Sequence, residues 1–462
     1  MYSDPDCRRY RNVGEKMSMD KIRDWLREHR ITEVECLVPD MTGKARGKFI
    51  PADKFIKEDS RLPESILVQT VTGDYTDIHD ELVDPMDADM MLIPDDNTMR
   101  LVPWAEDPTG QIIHDCHTRR GEPHPLASRN VLKRVLALYE AEGWRPVVAP
   151  EVEFYLVQKN LDPDYELEPP IGRSGRREAG RQSYSIDAAN EFDPIIEDMY
   201  DFCEAQELDV DTLIHESGLA QMEINFLHGD ALHLADQVFV FKRTMRETAL
   251  RHGIYATFMA KPMEREPGSA LHIHQSVLDI KTGDNIFTRE DGSEQERFRH
   301  FVGGLQKYTP AAIAFYAPSV NSYRRFAPDI AAPINTHWGY ENRTTGIRVP
   351  DSKPQARRLE NRFPGVDANP YLAIAASLAC GYLGMKHRLE PTEPHGGDAF
   401  LEPITVARGL EAALRLLEQS EDLQKVMGHR FSRAYCAVKR EEFEAFNKVI
   451  SSWEREYLLL NV

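Results

Sequence analysis

Polar and apolar positions follow two rhythms along the chain. Ile22, Trp25 and Leu26 recur at helical spacing and predict a helix over residues 21–29. Residues 31–38 alternate in part and stop at Pro39-Asp40, the pattern of a strand that ends in a turn. Residues 48–50, 65–72 and 111–114 predict further strands, and the acidic, proline-punctuated stretch 84–96 a loop between short strands. The first part of the chain therefore predicts a small β-rich unit over residues 19–117, preceded by a flexible leader at 1–18. Residues 119–125 (RRGEPHP) have the composition of a linker.

A larger region follows, over residues 118–462. Ser128 is a candidate N-cap for a helix over 130–142. Strands are predicted at 147–158, near Leu213, and at 221–227, 257–261 and 270–278. Helices are predicted at 194–206, 232–251, 294–317, 369–389, 405–420 and 432–460, and a polar surface loop at 160–182. Helices and strands mix without strict alternation, which predicts an α+β fold. The most apolar run, residues 371–384, is too short for a bilayer, which needs about 20 residues, and predicts a buried core helix and no membrane span.

Composition narrows the partners. Lys and Arg number 56 against 76 Asp and Glu, a formal net charge of −20. Such a chain lacks the positive face that phosphate neutralisation requires, so nucleic acid is not an expected partner. Six cysteines with no C-x-x-C pair argue against a disulfide framework or a structural zinc site. The polar N-terminus has no apolar secretory core, and a cytoplasmic location is expected.

Four clusters could carry chemistry. Glu151 and Glu153 sit two apart on a predicted strand and share one face. His215-Glu216 precedes Glu223, and His272 and His274 form a second same-face pair. Glu360 lies within an arginine-rich stretch. Each has an ordinary structural alternative, a solvated strand face or a surface ion-pair network. Together, carboxylates with imidazole suit Mg²⁺ or Mn²⁺. Arg324, Arg325, Arg343, Arg348, Arg357, Arg358 and Arg362 suit bidentate binding of phosphate or carboxylate. Neither G-x-x-x-x-G-K-[ST] nor G-x-G-x-x-G occurs. Residue chemistry alone thus points to a metal-dependent enzyme with an anionic substrate.

The order of motifs is more specific. Asp40-x-x-Gly43-x-x-Arg46-Gly47-Lys48 leads to Pro94-Asp95, Arg100 and Pro103-Trp104. Pro150-Glu151-Val152-Glu153-Phe154, His215-Glu216 with Glu223, and Lys261-Pro262 come next. Gly268-Ser269-Ala270-Leu271-His272-Ile273-His274-Gln275-Ser276 and Asn321-Ser322-Tyr323-Arg324-Arg325 follow. The series closes with Asn342-Arg343, Ile347-Arg348-Val349-Pro350, Arg357-Arg358-Leu359-Glu360 to Arg362-Phe363-Pro364, and Ala368-Asn369-Pro370-Tyr371. Over residues 19–462 this series resembles the glutamine synthetase family.

The resemblance implies a small N-terminal β-grasp-like domain, a large catalytic domain with a curved antiparallel sheet, and a homo-oligomer, commonly a dodecamer of two stacked hexameric rings. It implies ATP-dependent activation of the glutamate γ-carboxylate as a γ-glutamyl phosphate, which an amine then attacks, with two Mg²⁺ or Mn²⁺ ions. Glu153, Glu216 and Glu223 would hold one ion, and Glu151, His272 and Glu360 the other. His274, Arg343, Arg348 and Arg358 would contact phosphate and nucleotide, with Ser276 also at the nucleotide. Gly268, Arg325 and Arg362 would bind glutamate.

Departures from the family pattern bear on the amine. Ammonia-using members carry a flap glutamate six residues past the second arginine of Asn-Ser-Tyr-x-Arg, and here that position is Ala331. Either a larger amine replaces ammonia, or a neighbouring acid such as Asp329 or Glu341 takes over. The stretch before the histidine pair reads Glu266-Pro267-Gly268, a change within the implied glutamate contact. Residues 396–403 lack the regulatory tyrosine of bacterial glutamine synthetases, so adenylylation is not expected. Trp338 and Tyr340 could line an amine pocket or simply pack. The expectation is a ligase joining glutamate to a primary amine, putrescine or another polyamine, in polyamine catabolism. Glutamine synthetase itself, and a non-catalytic structural or sensor protein, are the alternatives.

Overall fold

The computed structural model describes residues 13–289, 291–327 and 331–462, with the side chains of residues 13–17 left aside. Two sheets organise the chain. The first joins β1 (Glu33–Pro39), β2 (Ala45–Pro51), β3 (Ser60–Pro63), β4 (Asp89–Pro94), β5 (Arg100–Leu101) and β6 (Thr109–His117). Its order is β2-β1-β6-β4-β3, with β5 also on β6, and the β1–β6 pair is parallel. The second joins β7 (Trp144–Gln158), β8 (Val210–His215), β9 (Gln221–Phe226), β10 (Gly229–Asp230), β11 (Ile254–Thr257) and β12 (Leu271–Asp279) to β13 (Trp338–Tyr340), β14 (Ile347–Val349) and β15 (Leu359–Asn361). Its order is β13-β14-β15-β12-β7-β9-β8, with β10 and β11 on β7. Only its β13–β14 pair runs parallel among the described strands. The fold is α+β.

Long helices cover the second sheet. Helix Pro370–His387 is buried from Pro370 to Met385, as its apolar run requires. Asn369 starts it, accepting from the amides of Tyr371 and Leu372 at 3.0 and 3.3 Å. It packs on helix Glu296–Tyr316 at a close crossing, where a Cβ on Gly304 would lie 2.2 Å from the Cys380 carbonyl oxygen. A smaller core of Ile22, Leu26, Val34, Cys36 and Ile112 joins the first helix, Val13–Glu28, to the first sheet.

Several expectations shift. The first helix begins at Val13 rather than near Lys21, and residues 1–12 of the expected leader lie outside the described residues. Residues 65–72 form no strand. Pro63 precedes a 3₁₀ turn, Glu64–Val68, and Asp87 takes the Ser65 amide at 3.2 Å and its hydroxyl at 3.1 Å. Within 84–96, Met90 and Leu92 are buried at alternate positions and β4 pairs with β6. Ala127, not Ser128, is the N-cap of helix Ser128–Ala141, and the Ser128 hydroxyl donates instead to the Pro39 and Asp40 carbonyls. The strand expected at 257–261 lies at Ile254–Thr257. The helix expected over 432–460 is two, His429–Asn447 and Ser452–Leu458, because a capping box at Ser451 and Glu454 starts the second.

No helix among the described residues is long and apolar enough to cross a membrane. Cys36, Cys116, Cys203, Cys380 and Cys436 are free and buried.

Candidate active site

Register builds the site across five adjacent strands. On β7, Glu151 lies opposite His272 of β12, and on the other side Glu153 lies opposite Glu223 of β9. On β12, His274 lies opposite Glu360 of β15, which faces Arg348 of β14. The period of two places Glu151 with Glu153, and His272 with His274, on one face. Glu216 follows β8 directly.

Three groups have ligand atoms close enough for one cation: Glu153, Glu216 and Glu223; Glu151, Glu223 and His272; and Glu151, His274 and Glu360. The first is the set expected for one ion. For the other ion, the expected trio of Glu151, His272 and Glu360 is distributed over two groups, and His274, expected at phosphate, joins one of them. His272 Nδ1 lies 3.2 Å from Glu151 Oε2 and 3.6 Å from Glu360 Oε1. His274 Nε2 lies 2.8 Å from Glu151 Oε1. Arg358 Nε donates to His274 Nδ1 at 3.3 Å, which leaves the ring proton on Nε2, facing Glu151.

The electrostatics fit a cation. Burial raises the Glu153 pKa, and repulsion from Glu216 adds to it. Burial raises Glu223 as well, together with repulsion from Glu151, Glu153, Glu216 and Glu360. The Glu223 carboxylate has no hydrogen bond or ion pair among the described residues, and the residue is 5% exposed. Glu151 behaves oppositely: against burial, hydrogen bonds from His272 and His274 hold it well below the usual carboxylate range. Glu360 is buried too, and the Arg362 charge leads the effects that bring it down to about 2. Crowded, buried carboxylates without counter-charge are what a divalent ion with oxygen ligands relieves.

Two cavities flank these strands and share Glu151 and Asn225. The first, about 270 Å³, is lined by Glu151, Glu153, Glu216, Glu223 and His272, with Gly268, Arg325, Arg343, Arg348, Arg362 and Ala331. The second, about 800 Å³, is lined by His274, Ser276 and Arg358 beside Val147, Phe226 and Gln355. The expected glutamate contacts thus share one chamber, and the expected nucleotide contacts divide between the two. Several arginines already have partners. Arg348 Nη1 and Arg362 Nη1 donate to Glu360 at 2.8 and 2.5 Å. Arg325 donates to the Phe363 and Arg362 carbonyls at 2.7 and 3.0 Å. Gly268 has no room for a Cβ, which would meet the Ala260 carbonyl at 2.7 Å.

Residues 125–458 match the family of the glutamine synthetase catalytic domain. The chain is a member of the glutamine synthetase family. It is 32% identical over 454 residues to γ-glutamylputrescine synthetase of Escherichia coli (strain K12), covering 96% of this chain and 94% of that one. It is 32% identical over 457 residues to a glutamate–isopropylamine ligase of a Pseudomonas species, 95% and 97% covered. A glutamine synthetase of Pyrococcus abyssi is 32% identical over 444 residues, 92% and 95% covered. Among solved structures, ligand-free GmaS superposes with a TM-score of 0.81 at 28% identity, covering 95% of this chain and 99% of that one. This glutamine synthetase-family member is an ATP-dependent glutamate ligase.

Some lining residues escaped the sequence reading. Tyr184 and Ile214 wall the first cavity. Tyr184 comes from a segment without regular structure, so no periodicity marks it; a lone aromatic in a polar loop is the only signal. Trp338 and Tyr340 are not at that cavity. Trp338 is buried and donates to the Thr392 carbonyl at 2.8 Å, and the Tyr340 hydroxyl meets Glu294. Glu341 is turned toward Arg348 and the Asp351 amide, and Asp329 lies outside the described residues.

Proposed function

We propose that this ligase joins the γ-carboxylate of glutamate to a primary amine, putrescine or another polyamine, in polyamine catabolism. The observation that carries this reading is Ala331. It lines the first cavity at the position where ammonia-using relatives, by resemblance, place a carboxylate. A methyl group there removes an acceptor for ammonium and leaves room for carbon. Relatives named for putrescine and isopropylamine support a carbon-bearing acceptor.

In this reading the γ-carboxylate oxygen attacks the ATP γ-phosphorus and ADP leaves. The neutral amine then attacks the carbonyl carbon, phosphate leaves, and the nitrogen gives up a proton. An aliphatic ammonium has a pKa near 10.4, so the amine must first be deprotonated. Arg325, Arg362 and Gly268 bind glutamate; His274, Ser276, Arg343, Arg348 and Arg358 hold nucleotide and phosphate charge. Glu153, Glu216 and Glu223 would hold one Mg²⁺ or Mn²⁺ ion, and Glu151, His272 and Glu360 the other, and the pair would supply charge neutralisation. A GmaS structure carrying ADP, with a TM-score of 0.81, is consistent with nucleotide at this fold. Residues 19–117 form the N-terminal domain and 118–462 the catalytic domain of a cytoplasmic dodecamer of stacked rings.

The second reading is glutamine synthetase with ammonia, favoured by the 32% identity to the Pyrococcus abyssi enzyme. Phosphate release with ATP, Mg²⁺ and glutamate decides between them. An amine from a panel of putrescine, spermidine, spermine and ethanolamine should stimulate release where ammonium does not. Ammonium as the best acceptor overturns the proposal.

A further inference from the structure

The turn between β8 and β9 carries Glu216, and a carboxylate from outside the sheet holds both of its ends. Glu178 lies between β7 and helix Ile186–Asn190, in a stretch without helix or strand. Its Oε2 accepts from His215 Nε2 at 3.1 Å and from the Ala220 amide at 2.7 Å. Its side chain is 6% exposed, and its other oxygen is buried without a partner. Among the described residues its carboxylate has no other hydrogen-bond partner.

The two groups it grips are unusual. His215 Nδ1 lies 2.8 Å from the Glu216 carbonyl oxygen, which can only accept. Its Nε2 lies 3.1 Å from Glu178, so both ring nitrogens face oxygen atoms and the ring is held from two sides. Ala220 is a non-glycine residue at φ 55°, a conformation that persists only where surrounding contacts over-determine it. Between these anchors, Gly218 donates to Gln221 Oε1, and Gln221 Nε2 donates to Glu153. The same segment delivers Tyr184, whose amide donates to the His215 carbonyl at 2.8 Å and whose side chain walls the first cavity.

We infer that Glu178 is a positioning residue for the Glu153–Glu216–Glu223 cation site: by pinning His215 and Ala220 it fixes where Glu216 points, and so sets that site's affinity. This rests on the reading of that trio as a divalent-cation site. Outer-shell partners of metal ligands typically govern affinity by ~10–100-fold.

The test is direct Mn²⁺ binding to the purified full chain, read from the electron paramagnetic resonance signal of free Mn²⁺, without substrates. Glu178→Gln keeps the shape and an acceptor for the Ala220 amide, but loses the charge that faces His215. One class of Mn²⁺ site should weaken by ~10–100-fold, the other should hold, and the melting temperature of the metal-free protein should be unchanged. Glu178→Asp, which restores the charge on a shorter stem, should recover part of the loss. Glu168→Gln, in the same segment but exposed, should bind as the parent does. Parent-like isotherms for Glu178→Gln overturn the inference, as does equal weakening of both sites with a lowered melting temperature. Should Glu178→Gln fail to fold, the Glu178→Asp isotherm decides on the same criteria. A parent chain that binds no Mn²⁺ overturns the cation-site reading and this inference together. A parent that binds two ions yet shows no amine-dependent phosphate release overturns only the proposed function.

Discussion

Arg348 donates to Glu360 at 2.8 Å, joining a residue proposed for phosphate to one proposed for a metal. Arg362 reaches the other oxygen of the same carboxylate at 2.5 Å. In this geometry Glu360 is the centre of a buried charge cluster, and an incoming cation must share it with two guanidinium groups. Of the two, Arg348 is the one proposed to turn to transferring phosphate, and Arg362 the one proposed to bind glutamate.

Glu360→Ala should therefore remove more than a ligand. It takes from Arg362 its carboxylate partner, leaves Arg348 only the longer contact to Glu341 at 3.4 Å, and removes one of the carboxylates facing His272. Since outer-shell changes alone cost ~10–100-fold, turnover should fall by at least ~100-fold. Steady-state phosphate release at saturating Mg²⁺ measures this; near-normal turnover would remove the second ion site.

Ala331→Glu returns a carboxylate to the wall of the first cavity. The ratio of kcat/KM for ammonium over that for the best amine should rise, by about tenfold for each 1.4 kcal/mol of differential stabilisation. An unchanged ratio counts against the account of that wall.

Metal binding should release protons. Glu153 and Glu223 are held above the usual carboxylate range by burial and mutual repulsion, so they retain protons at pH values where exposed acids do not. Calorimetric titration of the chelator-treated protein with Mn²⁺ at pH 7, in buffers of different ionisation enthalpy, should show proton release that shrinks as pH rises. A heat independent of buffer would contradict it.

A separate network governs stability. Arg129 is 2% exposed and donates to Asp95, Asp115 and Asp236 at 2.7, 2.6 and 2.8–2.9 Å. It ties the first sheet to the helices behind the second. Arg129→Met should cost about 3–5 kcal/mol, since it strands buried carboxylates. Against burial, the Arg129 charge lowers the pKa of both Asp95 and Asp115. A depressed folded-state pKa stabilises above the unfolded value, near 3.9, and that contribution is lost as pH falls below it. Urea unfolding at pH 7 and pH 3 should show a smaller acid-induced loss in Arg129→Met than in the parent.

Much of this molecule was legible one residue at a time. The alternation around Glu151 and Glu153, and around His272 and His274, located β7 and β12 and assigned their polar side chains to one face. The 371–384 run marked the central helix because no charged residue interrupts it. Residues 65–72 misled because an apolar run can be buried by packing under a turn as well as by strand pairing. Ser128 misled because a hydroxyl before a helix can serve a distant carbonyl instead of its own helix end.

The sequence by itself determined the chemistry present: which carboxylates, imidazoles and guanidinium groups exist, their order, and the faces that local periodicity assigns them. Only the tertiary structure decided which of them meet. Register across β9, β7, β12 and β15 brought Glu223, Glu153, Glu151, His274 and Glu360 together, and it split the expected second ligand set between His272 and His274. Glu178 and Tyr184 lay beyond any local reading. Their positions follow from how an irregular segment packs against the β8–β9 turn, and such packing leaves no period in the chain.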